Sequence, residues 1–268
     1  MLLIRKLLHK KIYLLIIYIR TITIVTMRKI IPTIIYLIFT TSLFAQMNSV
    51  EYNTPDYIGI KDLISDQYTE SYYPKLMERM KQCDTTLTIE EYKFLYYGYI
   101  FQPEFSIFHM PSSQESELEK YYKRISIRKK SYDNIITLIN QILENDPFYI
   151  RGINYLGYVL HLKGEEEESV KRSLQLVNLV NVILSSGNGE SPETGYHVIN
   201  VEHEYVIMNY LQAAYGMQFF YGSRVTTHLE NNSICDCFTI NRNPTNQICF
   251  YVPYEIMLGQ VNIVLPEL

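Results

Sequence analysis

The chain changes texture once, and that change limits what it can fold into. Between Ile150 and Leu184 apolar residues return at helical spacing; after Phe219 they gather into short runs separated by turn residues. Ile150, Ile153, Leu156, Val159 and Leu160 lead to Gly164, and Val170, Leu174, Leu176, Val177 and Val180 lead to Gly187. This spacing predicts two helices joined by a tight turn at Lys163-Gly164. Phe219–Tyr221, Val225–Leu229, Ile234–Ile240 and Ile248–Val252 read as strands, the last two forming a hairpin across residues 241–247. Helices first and strands last give an α+β class. Residues 72–268 are expected to form one domain, with helical hairpins over 72–187 and a small antiparallel sheet in a sheet-rich 196–268.

Local signals fill in the helical part. Pro74 suits the first turn of a helix carrying Leu76, Met77 and Met80, and Asp84-Thr85-Thr86 ends it. Thr88 with Glu91 has the spacing of a capping box, opening a helix with Tyr92, Leu95, Tyr96 and Tyr99 that stops before Pro103. Residues 103–114 read as a loop, and two more helices fill Glu115–Glu144. Tyr196, Val198 and Asn200 suggest an extended piece. Residues 46–71, with Pro55 and Gly59, read as an irregular entry segment.

The front end is different in kind. Met27-Arg28-Lys29, the apolar Ile30–Phe39 and the small residues up to Ala45 have the layout of a secretory signal over 27–45. Cleavage is expected near Ala45, although Leu43 is larger than the residue preferred two positions before the cut. No Cys stands there to take a lipid. Residues 1–26 hold an uncharged stretch, Ile12–Ile19, far short of the ~20 residues that span a bilayer. They read as an upstream mis-start or an extra leader. The mature protein is thus expected to be exported, periplasmic or secreted, and soluble, with no stable membrane span.

Removing residues 1–45 takes away seven basic residues and no acidic ones, leaving 17 basic against 28 acidic, a net of −11. Such a chain repels phosphate backbones and anionic headgroups, so nucleic-acid and membrane-surface partners are disfavoured. Lys120, Lys123, Arg124, Arg128, Lys129 and Lys130 run against that trend and read as a solvated helix face. With 25 Tyr and no Trp, the aromatic excess carries no carbohydrate-binding signature.

Two groups of residues could carry chemistry. His197, Glu202, His203, Glu204 and Asp236 supply the residue types of a metal site or an acid–base pair. Their spacing is not the His-Glu-x-x-His of zinc peptidases, and a structural role for His203, bracing helices against sheet, is the simpler reading. Cys235 and Cys237, two apart on a strand, would face one side, with Cys249 nearby. In an exported chain these read as a structural disulfide involving Cys249, or as buried free thiols, ahead of a redox pair. Residues 185–189 lack the Lys and Ser/Thr of a phosphate loop. Neither a cofactor nor a metal is called for.

Two resemblances follow from particular residues. Leu143-Glu144-Asn145-Asp146-Pro147, Asn154-Tyr155-Leu156-Gly157-Tyr158 and Leu162-Lys163-Gly164 resemble the junction and first helix of one tetratricopeptide unit, with no repeat of the period. Tyr73-Pro74-Lys75-Leu76, Asp84–Thr88, Leu95-Tyr96-Tyr97-Gly98-Tyr99 and Val198–Tyr205 resemble domain-of-unknown-function family 4919, exported proteins of Bacteroides-type bacteria. Cys235-Asp236, Phe250 and Tyr251 add to it. That resemblance implies export and an α+β domain, and no established activity. The expected function is a non-catalytic exported domain that binds another envelope or secreted protein, or an envelope component. The alternative is an envelope hydrolase using His203 with Glu204 or Asp236, with or without a metal.

Overall fold

A computed structural model describes residues 52–106, 111–124, 126–229, 233–241 and 243–260, all within one compact unit that begins at Tyr52. The expected leader, residues 1–26 and 27–45, lies outside the described residues. Among the described residues seven α-helices precede a four-stranded sheet, as an α+β fold.

The entry segment corrects the first expectation. Residues Tyr57–Ser65 form a helix, α1, capped by the Asp56 carboxylate, which accepts from the Gly59 N–H at 3.0 Å. Tyr57, Ile60 and Ile64 fall on one side and are buried against the core. Pro55 and Gly59, read as loop punctuation, instead flank and open a helix too short to show a clear period.

Helices α2 (Tyr73–Lys81) and α3 (Ile89–Gly98) form where the local signals place them. Both halves of the Thr88–Glu91 capping box are made. Arg79 bridges the two helices, donating to Asp84 at 2.7 Å and also pairing with Glu91. Helix α4 (Ser113–Tyr122) has a second capping box, Ser112 with Glu115, and is followed by α5 (Tyr132–Asn145). The hairpin of α6 (Ile150–Lys163) and α7 (Glu166–Leu184) turns at Gly164, whose φ of 91° lies in the left-handed region that glycine enters without penalty.

The sheet departs from expectation in its strand bounds, since 219–228 form one strand where two runs were read and the last strand starts at Asn243, inside the stretch read as the hairpin loop, and in two larger ways. A fifteen-residue helix, α8 (Val201–Tyr215), interrupts the stretch read as sheet-rich. Asn200 caps it by accepting from the Glu202 N–H, and Gly216 closes it at a φ of 68°. Tyr196, Val198 and Asn200 do belong to extended chain, but that chain is only the two-residue β1 (Tyr196–His197) and the link into α8. Then come β2 (Phe219–His228), β3 (Ile234–Ile240), β4 (Asn243–Val252) and a short α9 (Tyr254–Gln260). The order is β1-β4-β3-β2, antiparallel except that β1 runs parallel to β4, so the sheet is mixed rather than antiparallel. A two-residue strand carries too little pattern to be read against a partner more than fifty residues away.

One apolar cluster runs from Tyr57, Leu76, Leu95 and Tyr96 through Ile183 and Met208 to Phe238 and Phe250, uniting helices and sheet. A second, around Leu118, Ile135, Ile139, Leu156 and Val159, lies among α4, α5 and α6. No helix among the described residues is long and apolar enough to cross a membrane.

Candidate functional site

Neighbouring residues on a helix project ~100° apart, so α8 sends His203 and Glu204 in different directions. His203 turns toward the helices. Its Nε2 lies 2.9 Å from the Phe148 carbonyl oxygen and must carry the proton donated there. Its Nδ1 is then an acceptor, 2.7 Å from the Tyr96 hydroxyl, which also accepts from the Ile199 N–H at 3.3 Å. Both ring nitrogens are engaged in tying α8 to the helical half, so neither is directed at a carboxyl group.

Glu204 meets the sheet instead. Side chains alternate across a strand, so β3 places Cys235 and Cys237 on one face and Asp236 and Phe238 on the other. Asp236 stands opposite Thr226 of β2 and Phe250 of β4. It accepts a short hydrogen bond from the Thr226 hydroxyl and an ion pair of 2.7 Å from Arg224. Glu204 and Asp236 are both fully buried. Burial, and next the neighbouring Asp236 charge, push the Glu204 carboxyl up to about 9, with Arg224 opposing. Two ionised carboxylates cannot bond each other, since both only accept. With its proton kept, Glu204 donates to Asp236, and the pair then needs only the one cation that Arg224 supplies. No other donor among the described residues reaches either Glu204 oxygen, so the shared proton is what satisfies this group.

His197 sits elsewhere again. The Tyr57 hydroxyl is hydrogen-bonded to its Nδ1 at 3.1 Å, its ring packs 4.3 Å from that of Tyr251, and its backbone N–H donates to Ser186 Oγ. Burial holds its ring well down, to about 4, so it is neutral at ordinary pH. Glu202 is exposed in the first turn of α8. Of the five residues singled out from sequence, the fold thus brings together two, Glu204 and Asp236. Arg224 and Thr226 complete that pair and had no sequence signal, because only the β2–β3 register puts them beside Asp236.

On the opposite face of β3, Cys237 and Cys249 are directly paired across β3 and β4 and form a disulfide. Cys235 is a buried free thiol with its Sγ 3.7 Å from that of Cys237. Burial first, then the charge of Asp236, push this thiol up to about 12. It is therefore a poor nucleophile at neutral pH. Cys83, the other free thiol, is buried in the helical half beside Gln175.

What the arrangement can do chemically is narrow. General acid–base work needs a group within reach of substrate, and His197, His203, Glu204 and Asp236 are all buried. A cleft of about 400 Å³ between α2, α5 and α7 is lined by Met80, Leu143, Pro147, Arg172 and Gln175, and by none of the candidate residues.

Comparison with known proteins gives one match. The profile of a family described as Domain of unknown function (DUF4919) covers residues 59–252, from α1 to the end of β4. No curated protein and no solved structure matches.

Proposed function

The chain belongs to the DUF4919 family, and from that premise we propose that it is an exported, non-catalytic domain whose sheet edge binds another envelope or secreted protein. The observation that carries this is β2. It is the edge strand of the sheet, paired only with β3 among the described strands, and its Tyr221 and Val225 are 42% and 60% exposed. Exposed edges invite strand pairing, and proteins blunt those that have no use. Here a register shift between Phe220 and Val225 and the charge of Arg224 blunt the first half of the strand. Residues 225–228 stay regularly paired to β3 and open outward. A short extended segment from a partner fits that length, by main-chain hydrogen bonds with a pocket or two for specificity.

Charge favours a different protein over a second copy. Residues 46–268 net −11, which sets copies against each other and draws neutral or basic segments. Export is supported by the layout of residues 27–45, and the lone tetratricopeptide-like hairpin fits a scaffold role for the helical half. The hydrolase alternative has less support, because His203 spends both nitrogens on the core and the carboxyl pair is shut from water.

A photo-crosslinking residue at Val225 tests the reading. In the producing cell it should yield a discrete adduct with one envelope or secreted protein, and Val225→Glu should remove that protein from pull-downs. The same label at Ile58, on exposed α1, should give none. If label at Val225 gives no adduct, or the same adducts as Ile58, the edge is not a binding site.

A further inference from the structure

We infer that Cys235, Cys237 and Cys249 form a soft-metal site that the Cys237–Cys249 disulfide closes and reduction opens. The three sulfurs lie within 4.8 Å of one another, all on buried side chains. Thiolate sulfurs bind zinc-like ions at about 2.3 Å, which sets sulfur–sulfur separations of roughly 3.8–4.0 Å in trigonal or tetrahedral sites. Cys235 and Cys237 already stand at 3.7 Å. Cys249 faces Cys237 across the ladder, so once the disulfide is broken a side-chain rotation carries its sulfur to the third corner.

The surroundings suit a cation. Glu193 stands on the turn Pro192–Thr194, which lies against β3 and β4, and brings a negative charge to this part of the sheet. That charge favours a positive ion that brings the thiolates with it. Leu229 packs against the sulfurs. Three soft sulfur donors select Zn²⁺, Cd²⁺ or Cu⁺ over Ca²⁺ or Mg²⁺.

The chemistry balances with a dithiol as reductant. Its two electrons cleave the Cys237–Cys249 bond, both sulfurs leave as thiols, and the dithiol ends as its own disulfide. The entering ion then displaces the protons of the three thiols to water.

Cadmium titration of the full chain after reduction with a trialkylphosphine tests this. One Cd²⁺ should bind per chain, with a thiolate-to-cadmium absorption band, while the oxidised protein should show no such band. Cys235→Ser leaves the disulfide-forming pair intact; it should cut the band to about two-thirds and weaken binding by at least about tenfold, the scale on which even supporting groups count. Cys83→Ser should bind as wild type does. The inference is overturned if the reduced chain binds no cadmium, or if Cys235→Ser matches wild type. It is also overturned if reduction unfolds the chain by circular dichroism and cadmium does not restore it.

Discussion

At the residue scale, the protonated Glu204 gives the protein a stability that depends on pH in a defined direction. In the unfolded chain a Glu ionises near pH 4.3, whereas in the fold this one keeps its proton to about 9. Its contribution is fully present below the unfolded value and is lost as pH rises through the folded one, at a slope of up to about 1.4 kcal/mol per pH unit. Glu204→Gln keeps a donor toward Asp236 and has no proton to lose. The variant should match wild type near pH 4 and exceed it by about 1–3 kcal/mol at pH 8, read by urea unfolding across that range. His197 acts in the other direction, since burial depresses it to about 4. Its contribution is present above the unfolded value of about 6.5 and is lost as pH falls toward 4. The histidine and the glutamate together put the stability maximum in mildly acidic to neutral solution.

At the scale of elements, the loop after α7 shows how a short glycine-rich segment can be structural. Gly187 has the carbonyl oxygens of Thr194 and Gly195 2.5 Å from where a Cβ would stand. The loop is folded flat there, with Asn188 and Gly189 N–H groups both donating to Thr194, and Cys249 donating to Gly189. Gly187→Ala should cost about 1–3 kcal/mol, as overpacking does, lowering the urea midpoint without changing the helical signal of the folded state. What the sequence made legible follows the same logic of local against remote causes. The Thr88–Glu91 capping box, the α6–α7 hairpin and the strand Ile234–Ile240 are set by residues within a few positions of one another, and they formed as read. Helix α1 was hidden by its nine-residue length, and α8 by residues such as Val201, Tyr205, Val206 and Ile207 that suit strand as well as helix. The carboxyl pair was half legible: Glu204 and Asp236 stood out by type, while Arg224 and Thr226 depend on a cross-strand register that no local pattern encodes.

At the scale of the whole molecule, helices and sheet are held together by a few long-range ties. Tyr96 and Phe148 hold His203, Tyr57 holds His197, and Glu204 holds Asp236. Each tie joins segments far apart in sequence, which is why the two halves share one core instead of forming two domains. The sheet order carries a further consequence. Although β4 is the last strand in the chain, it lies inside the sheet, hydrogen-bonded to β1 on one side and β3 on the other. A chain ending at Asn241 would lack the disulfide partner Cys249, the neighbour of β1 and the Phe250 that covers Asp236; it should show no cooperative thermal transition by circular dichroism, where the full chain shows one. Assembly is therefore a matter of timing. A chain emerging N-terminus first from the ribosome can fold its helices as they appear, but its keystone arrives last, and until then β1 and β3 wait with open edges.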